Sequence, residues 1–195
     1  MRHDEAIHRS LLIFQNIDMS NLKTNKNKII VLDGHDGSGK TTLSKMLAAH
    51  INGIYVRPFG GKNGKVLIES TEKKEYDLTI QIGIDSIQQI YNQHTNQTLV
   101  FDRHWMTVLS LLPEQLWKKW TIYPPTILCW ANLQTTKKRL NQRMEQKFDD
   151  EYHQNYLSIY KNLVSHHNSL IIDTNRESIQ DSLNTINQWL NNNNI

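Results

Sequence analysis

The sequence predicts an α/β protein: three layers, with a five-stranded parallel sheet covered by helices on both faces. Three observations carry that expectation. From Lys28 onward, five short apolar runs alternate with longer helical patterns, and short runs joined by crossover helices make a parallel sheet buried on both sides. The first run ends in Gly34-His-Asp-Gly-Ser-Gly-Lys-Thr41, the pattern G-x-x-x-x-G-K-[ST] in its context of strand, loop and helix. Polar and charged residues follow each run: Asp33, Arg57, Asp102-Arg103-His104, Asn132 and Asp173-Thr-Asn-Arg176. In such sheets ligands gather at the carboxyl ends of the strands.

Taken in order, the expected strands are Lys28–Asp33, 54–57, Thr98–Asp102, 126–132 and 169–173. The expected helices are 39–51, 76–94, 113–120, 135–145, 149–167 and 177–193. Residues 1–27 precede the first strand and read as an N-terminal extension. Within it Ile7, Leu11 and Phe14 have the spacing of one short amphipathic helix. Residues 28–195 read as one phosphate-loop domain. The Asn-rich stretch 191–194 reads as a frayed helix end, and there is no internal repeat.

Composition narrows the classes. A chain of 195 residues is one ordinary domain. Its net charge of +3 does not by itself call for a nucleic-acid partner, since a polyphosphate binder also collects Lys and Arg. The single cysteine, Cys129, sits in an apolar run, excludes an internal disulfide and fits a reducing cytoplasm. No run has the length of a membrane span, and Asp4 and Glu5 stand where a secretion signal would be positive. The nine histidines lack zinc-site spacing.

The loop names its ligand, a nucleoside triphosphate with Mg²⁺. Gly34, Gly37 and Gly39 let backbone N–H groups approach phosphate oxygens. The positive end of the following helix points at the same place. Lys40 supplies a cation for the β- and γ-phosphates, and the Thr41 hydroxyl can ligate Mg²⁺. By average residue usage the four fixed positions would match in roughly one unrelated chain per hundred of this length, and the preceding strand makes coincidence rarer still. Asp102, at a strand's carboxyl end, suits the second anchor of Mg²⁺; Arg103 carries a planar fork suited to a phosphate. Arg139 and Arg143 share one helical face at i, i+4, where cations could surround a transferring phosphoryl group.

On these elements the chain resembles the thymidylate kinase family of phosphate-loop nucleoside monophosphate kinases. The matching segments are Leu32-Asp-Gly-His-Asp-Gly-Ser-Gly-Lys-Thr-Thr-Leu43, Arg57-Pro-Phe-Gly-Gly61, Asp102-Arg-His104, the helix with Arg139 and Arg143, Phe148 to Tyr160, and Ile171-Ile-Asp173. They keep the family's order across about residues 28–190, so that residues 28–195 read as one phosphate-loop nucleotide kinase domain. The resemblance implies that Ser38 and Thr42 join Gly34, Gly37, Gly39, Lys40 and Thr41 in binding ATP. It assigns Asn175, after the last strand, to the loop bracketing the adenine. Asp36 takes the 3′-hydroxyl of a deoxyribose, and Arg57 and Arg103, with Phe59 in the same segment, bind the acceptor. Gly37 stands where one branch of the family has an arginine, so Arg143 and Arg139 inherit the catalytic role beside Lys40 and Asp102. Family members are commonly homodimers.

Departures are concentrated on the acceptor side. The segment after the second strand lacks the family's acid, and His104 replaces a tyrosine. The helix that reads thymine in the family carries neither the expected Phe nor Arg between Leu78 and Ser86, leaving Gln81 or Asp85 as substitutes. The expected activity is ATP-dependent phosphorylation of a (deoxy)nucleoside monophosphate, dTMP-like. The alternatives are a kinase for a nucleoside, a modified nucleotide or a nucleic-acid end, and a nucleotide-binding module without turnover.

Overall fold

The computed structural model describes residues 27–143 and 148–195. The short amphipathic helix expected around Ile7–Phe14, and the 144–145 end of the helix expected over 135–145, lie outside them. Five strands, β1 (Lys28–Asp33), β2 (Ile54–Val56), β3 (Thr98–Asp102), β4 (Thr126–Trp130) and β5 (Leu170–Asp173), form one sheet in the order β2-β3-β1-β4-β5. Every pairing is parallel. The α/β class is therefore as the sequence predicts.

Alternation along β1 divides the core in two. Val31 points to the face shared with Leu99, Phe101 and Leu128, covered by helices α3 (Tyr76–Gln93), α4 (Trp105–Leu109) and α6 (Asp150–Ser165). Ile30 and Leu32 point the other way, joining Val100, Ile127 and Cys129 beneath α1 (Lys40–His50) and α7 (Ile179–Asn192). Cys129 is a buried thiol, and burial pushes its pKa up to about 12.

Three helical segments depart from the sequence reading. α2 (Gly61–Glu72) was not expected, because Gly61 and Gly64 open it, no side chain caps it and few apolar residues mark a face. α4 is a single buried turn or so, too short to show a period. The segment expected as a helix over 113–120 is a 3₁₀ helix (Glu114–Lys119). The remaining helix, α5, spans Leu133–Gln142. Asn27, assigned to the extension, is already tied to the fold: its side chain donates to the His94 carbonyl and accepts from the Gln97 N–H.

Candidate active site

β1 lies between β3 and β4, so the turn after it opens at the centre of the sheet's carboxyl edge. Helices α5, α6 and α7 begin with the side-chain caps Asn132, Asp149 and Ser178. α1 begins at Gly39 with no side-chain cap; α2, α3 and α4 also lack one, but of these four α1 alone follows the glycine loop. Its first amides are left for a ligand, as an anion site requires. Gly34 and Gly37 hold φ values of +146° and +75°. A Cβ on Gly34 would come 2.4 Å from the Cys129 carbonyl oxygen, and one on Gly37 would come 2.9 Å from that of Thr136.

Lys40 is buried at the start of α1 and donates to the His35 carbonyl at 3.2 Å. Desolvation is the largest influence on it, and with the Arg103 charge it pulls the ammonium down to about 8 despite nearby carboxylates. Thr41 donates to Asp102 Oδ2 at 2.8 Å, as does the Tyr55 hydroxyl. Arg57 approaches the same oxygen at 3.9 Å. Asp102 is fully buried, and its Oδ1 has no hydrogen-bond partner. Buried carboxylate oxygens are rarely left so. An orphaned oxygen beside the Thr41 hydroxyl fits a hard, oxygen-seeking cation such as Mg²⁺.

Arg103 pairs with Asp36 of the loop rather than with its neighbour Asp102. Burial would raise the Asp36 pKa, but the Arg103 and Lys40 charges overcome it and hold the carboxyl well below its usual range. Arg103 itself has φ +82°, a conformation that costs a residue with a Cβ about 1–3 kcal/mol unless its surroundings hold it there. They do: its N–H donates to Leu32 O at 3.0 Å, and Nη1 donates to Thr107 Oγ1 at 3.0 Å. Asp33 anchors this turn, accepting from the backbone N–H groups of Gly34, His104 and Thr107 and from the Thr107 hydroxyl. The sequence offered Asp33 as a candidate for chemistry; those bonds make it a bracket between the loop and α4.

The arginines of α5 divide. Arg139 donates to the Gly37 carbonyl at 3.0 Å and to Thr174 at 2.9 Å (hydroxyl) and 2.7 Å (carbonyl). It thereby ties the phosphate loop to the segment after β5. Arg143, just past the end of α5, lines the phosphate cavity with Gly39, Lys40 and Thr41. It also lines a cavity of about 260 Å³ behind the loop, with Gly39, Thr42 and Thr174. The sequence placed Asn175 at the adenine. Its side chain accepts from the Asn132 N–H and donates to Asp173, and its neighbour Thr174 lines the cavity. Ser38 is buried with its hydroxyl unpartnered.

On the other side of Lys40 lies a cleft of about 360 Å³. Asp36, Arg57 and Arg103 hold one end. Phe59 and Leu67 form one wall, and Tyr152, Tyr156 and Tyr160 the other. Gln81 and Asp85 do not line it; they bond each other at 2.8 Å on the exposed face of α3. That corrects their expected base-reading role, which fails because α3 turns that face to solvent. Sequence reasoning missed α2 as a wall and the three tyrosines as site residues. Their i, i+4, i+8 spacing on one helix was the available signal. His35 also faces the cleft, stacks on Tyr156 (5.6 Å, 13°) and shares a 2.8 Å hydrogen bond with His153. His104 is a fully buried core residue bonded to the Tyr91 hydroxyl at 3.1 Å.

A family model described as ABC transporter matches residues 17–194. A protein named probable thymidylate kinase from Methanococcus aeolicus is 38% identical over 85 residues, 40% of this chain and 43% of that protein. Its namesake from Methanocaldococcus jannaschii is 26% identical over 185 residues, 85% of this chain and 97% of that one. The chain thus spans less than half the length of the first of these, and nearly all of the second. Among solved structures, a thymidylate kinase from Candida albicans superposes with a TM-score of 0.67 at 14% identity, covering 87% of this chain and 93% of its own. A deoxyadenosine kinase from M. mycoides gives 0.59 at 14% identity, covering 84% and 99%. At such identities the structural likeness is one of fold. Among the described residues no helix is long and apolar enough to cross a membrane.

Proposed function

We infer that the chain belongs to the thymidylate kinase family, and on that premise we propose that it transfers the γ-phosphoryl group of ATP to a (deoxy)nucleoside monophosphate, with a dTMP-like acceptor. One observation supports this above the others. The phosphate cavity shares Gly39 and Arg143 with the cavity behind the loop, and shares Asp36, Arg57 and Arg103 with the acceptor cleft. Two ligand spaces therefore meet over Lys40, as an in-line displacement between two bound phosphates requires.

In this reading the base of ATP occupies the cavity between Thr42 and Thr174, and its phosphates lie along the uncapped start of α1. Thr41 and Asp102 would hold Mg²⁺, which when bound offsets charge on the β- and γ-phosphates. Lys40 and Arg143 face the transferring group, while Arg139 fixes the loop that carries them. Arg57 and Arg103 grip the acceptor phosphate, and Asp36 takes the sugar. The acceptor phosphate is already a nucleophile, so no strong general base is needed. The lone buried Cys129 suits a reducing cytoplasm.

A nucleoside acceptor is the second reading, suggested by the deoxynucleoside kinase among the structural neighbours. Its hydroxyl would need a base, and Asp36 is the cleft's carboxylate among the described residues. Held far below the usual range by Arg103 and Lys40, Asp36 is a weak base. A coupled ADP-release assay over the natural monophosphates and their nucleosides tests both. Turnover with monophosphates is expected. Turnover with nucleosides alone would reverse the order, and ATP binding without acceptor-dependent ADP release would make the chain a nucleotide-binding module.

A further inference from the structure

We propose that the acceptor cleft selects its nucleotide by its phosphate and by ring stacking rather than by the edge of its base, so that monophosphates of both purines and pyrimidines serve as acceptors. This rests on the kinase reading above and names the substrate class of the same cleft.

The charged groups of the cleft, Asp36, Arg57 and Arg103, stand together beside Lys40. Beyond them the walls are mostly aromatic or aliphatic, with His35, Thr107 and Ser110 the polar exceptions. On one side, Phe59, Leu67 and Ile68 line the space, and Gly61 and Gly64 contribute no side chain. On the other, Tyr152 and Tyr156 lie one helical turn apart, their ring centroids 4.7 Å from each other and their planes tilted by 48°, with His35 stacked on Tyr156. The Tyr152 ring already carries a flat partner: Phe148 stacks on it at 4.1 Å and 14°. Every base has a π-face, so a stacking wall of this kind tolerates base identity.

Apart from Asp36 and the two arginines at the phosphate end, the groups that could read a base edge are the His35 imidazole, which stacks on Tyr156 and already commits a ring nitrogen to His153, and the hydroxyls of Thr107, Ser110 and the tyrosines. A hydroxyl rotates to donate or accept, and it fits a carbonyl or an amino group alike. Thr107 and Ser110 are also engaged already, with Asp33 and with the Thr107 carbonyl. Among the described lining residues there is no Asn, Gln, Glu or Lys. A site that hydrogen-bonds a fixed edge discriminates by about 10⁴–10⁵, whereas one that reads shape reaches only about 10–200.

The test measures kcat/KM for dTMP, dUMP, dCMP, dAMP and dGMP, together with their thermal-shift affinities in the absence of ATP. The best and worst acceptors should differ by less than about 200-fold in both. One monophosphate exceeding the rest by 10⁴ or more overturns the inference. If none turns over, the kinase reading fails. Affinity then decides this inference separately: comparable shifts uphold it, and a single binder overturns it. Tyr156→Leu should raise the KM of every acceptor by a similar factor, about 5- to 150-fold for one lost base–aromatic stack, and leave that of ATP unchanged. A rise confined to one base would show edge reading and overturn it. ATP-induced stabilisation of the variant confirms that it folds.

Discussion

Gly34 and Gly61 both sit at positive φ, +146° and +55°. A Cβ on Gly34 would lie 2.4 Å from the Cys129 carbonyl oxygen, whereas one on Gly61 would meet nothing within 4 Å. The first belongs to the phosphate half of the site, the second to the acceptor half. The phosphate half is enclosed by backbone from β4 and α5 and cross-linked by Arg139, Thr174, Asp33 and Asp102. The acceptor half is an open slot between α2 and α6. One half presents its ligand with fixed amides and a few charges; the other presents surfaces. The difference teaches where substitutions should stop turnover and where they should only change what is turned over.

The largest expected effect separates the two arginines at the end of α5. Arg143→Ala should lower kcat by about 10³–10⁵, the range for an arginine that stabilises phosphoryl transfer, with little change in ATP affinity. Arg139→Ala removes three hydrogen bonds between α5, the phosphate loop and Thr174. It should act mainly on the KM for ATP, by about 10- to 100-fold, the worth of hydrogen bonds to a charged group. Steady-state kinetics in both substrates distinguish them. Equal losses of kcat would mean that both arginines face the transferring group, and the division drawn between them would fall.

The same contrast explains how much could be read from the sequence. Residues 34–41 are contiguous, and each position answers to one physical demand, so the phosphate half was legible down to Lys40 and Thr41. Asp102 was legible as an acid at a strand's end. Its partners Tyr55 and Arg57 come from β2 and the residue just after it, and only the sheet brings them together. Arg103 was legible as a cation, but neither its left-handed backbone nor its pairing with Asp36 has a sequence signal. The acceptor half draws on α2, α4, α6 and the loop at once. Its α2 wall starts with two glycines where a helix usually has a cap, so local propensity argued against it. The expected readers Gln81 and Asp85 failed because sequence gives a helix its period but not the azimuth at which it packs.

Stability sharpens the comparison at a smaller scale. Gly34→Ala should lower Tm by about 5–10 °C, as expected for a few kcal/mol in a domain of this size. The β4 backbone opposite it cannot move without breaking the sheet. Gly61→Ala carries only the cost of a positive φ, about 1 kcal/mol, or about 2–4 °C. Differential scanning calorimetry of both variants measures the gap. Equal losses would mean that the acceptor side is as tightly enclosed as the phosphate side.

The smallest effect concerns protons. Burial holds the His35 imidazole down at about 4 and that of His104 at about 3, below the 6.5 of an exposed histidine. Between those values the unfolded chain binds more protons than the folded one, so stability falls as the pH drops below 6.5. At pH 5 each imidazole should cost roughly 2 kcal/mol relative to pH 7, from 1.36 kcal/mol per pH unit. The two should then diverge. His35, beside the acceptor cleft, begins to take its proton in the folded state near pH 4 and its share of the slope fades. His104, sealed behind Tyr91 and Phe101 in the core, should keep contributing down to about pH 3. Chemical denaturation at pH 7, 5 and 4 reads this directly. His104→Leu should remove its share of the slope across the whole range, and His35→Gln only the part above pH 4. An unchanged slope in His104→Leu would mean that the core admits a charge there, and the sealed side of the molecule would be no drier than the open one.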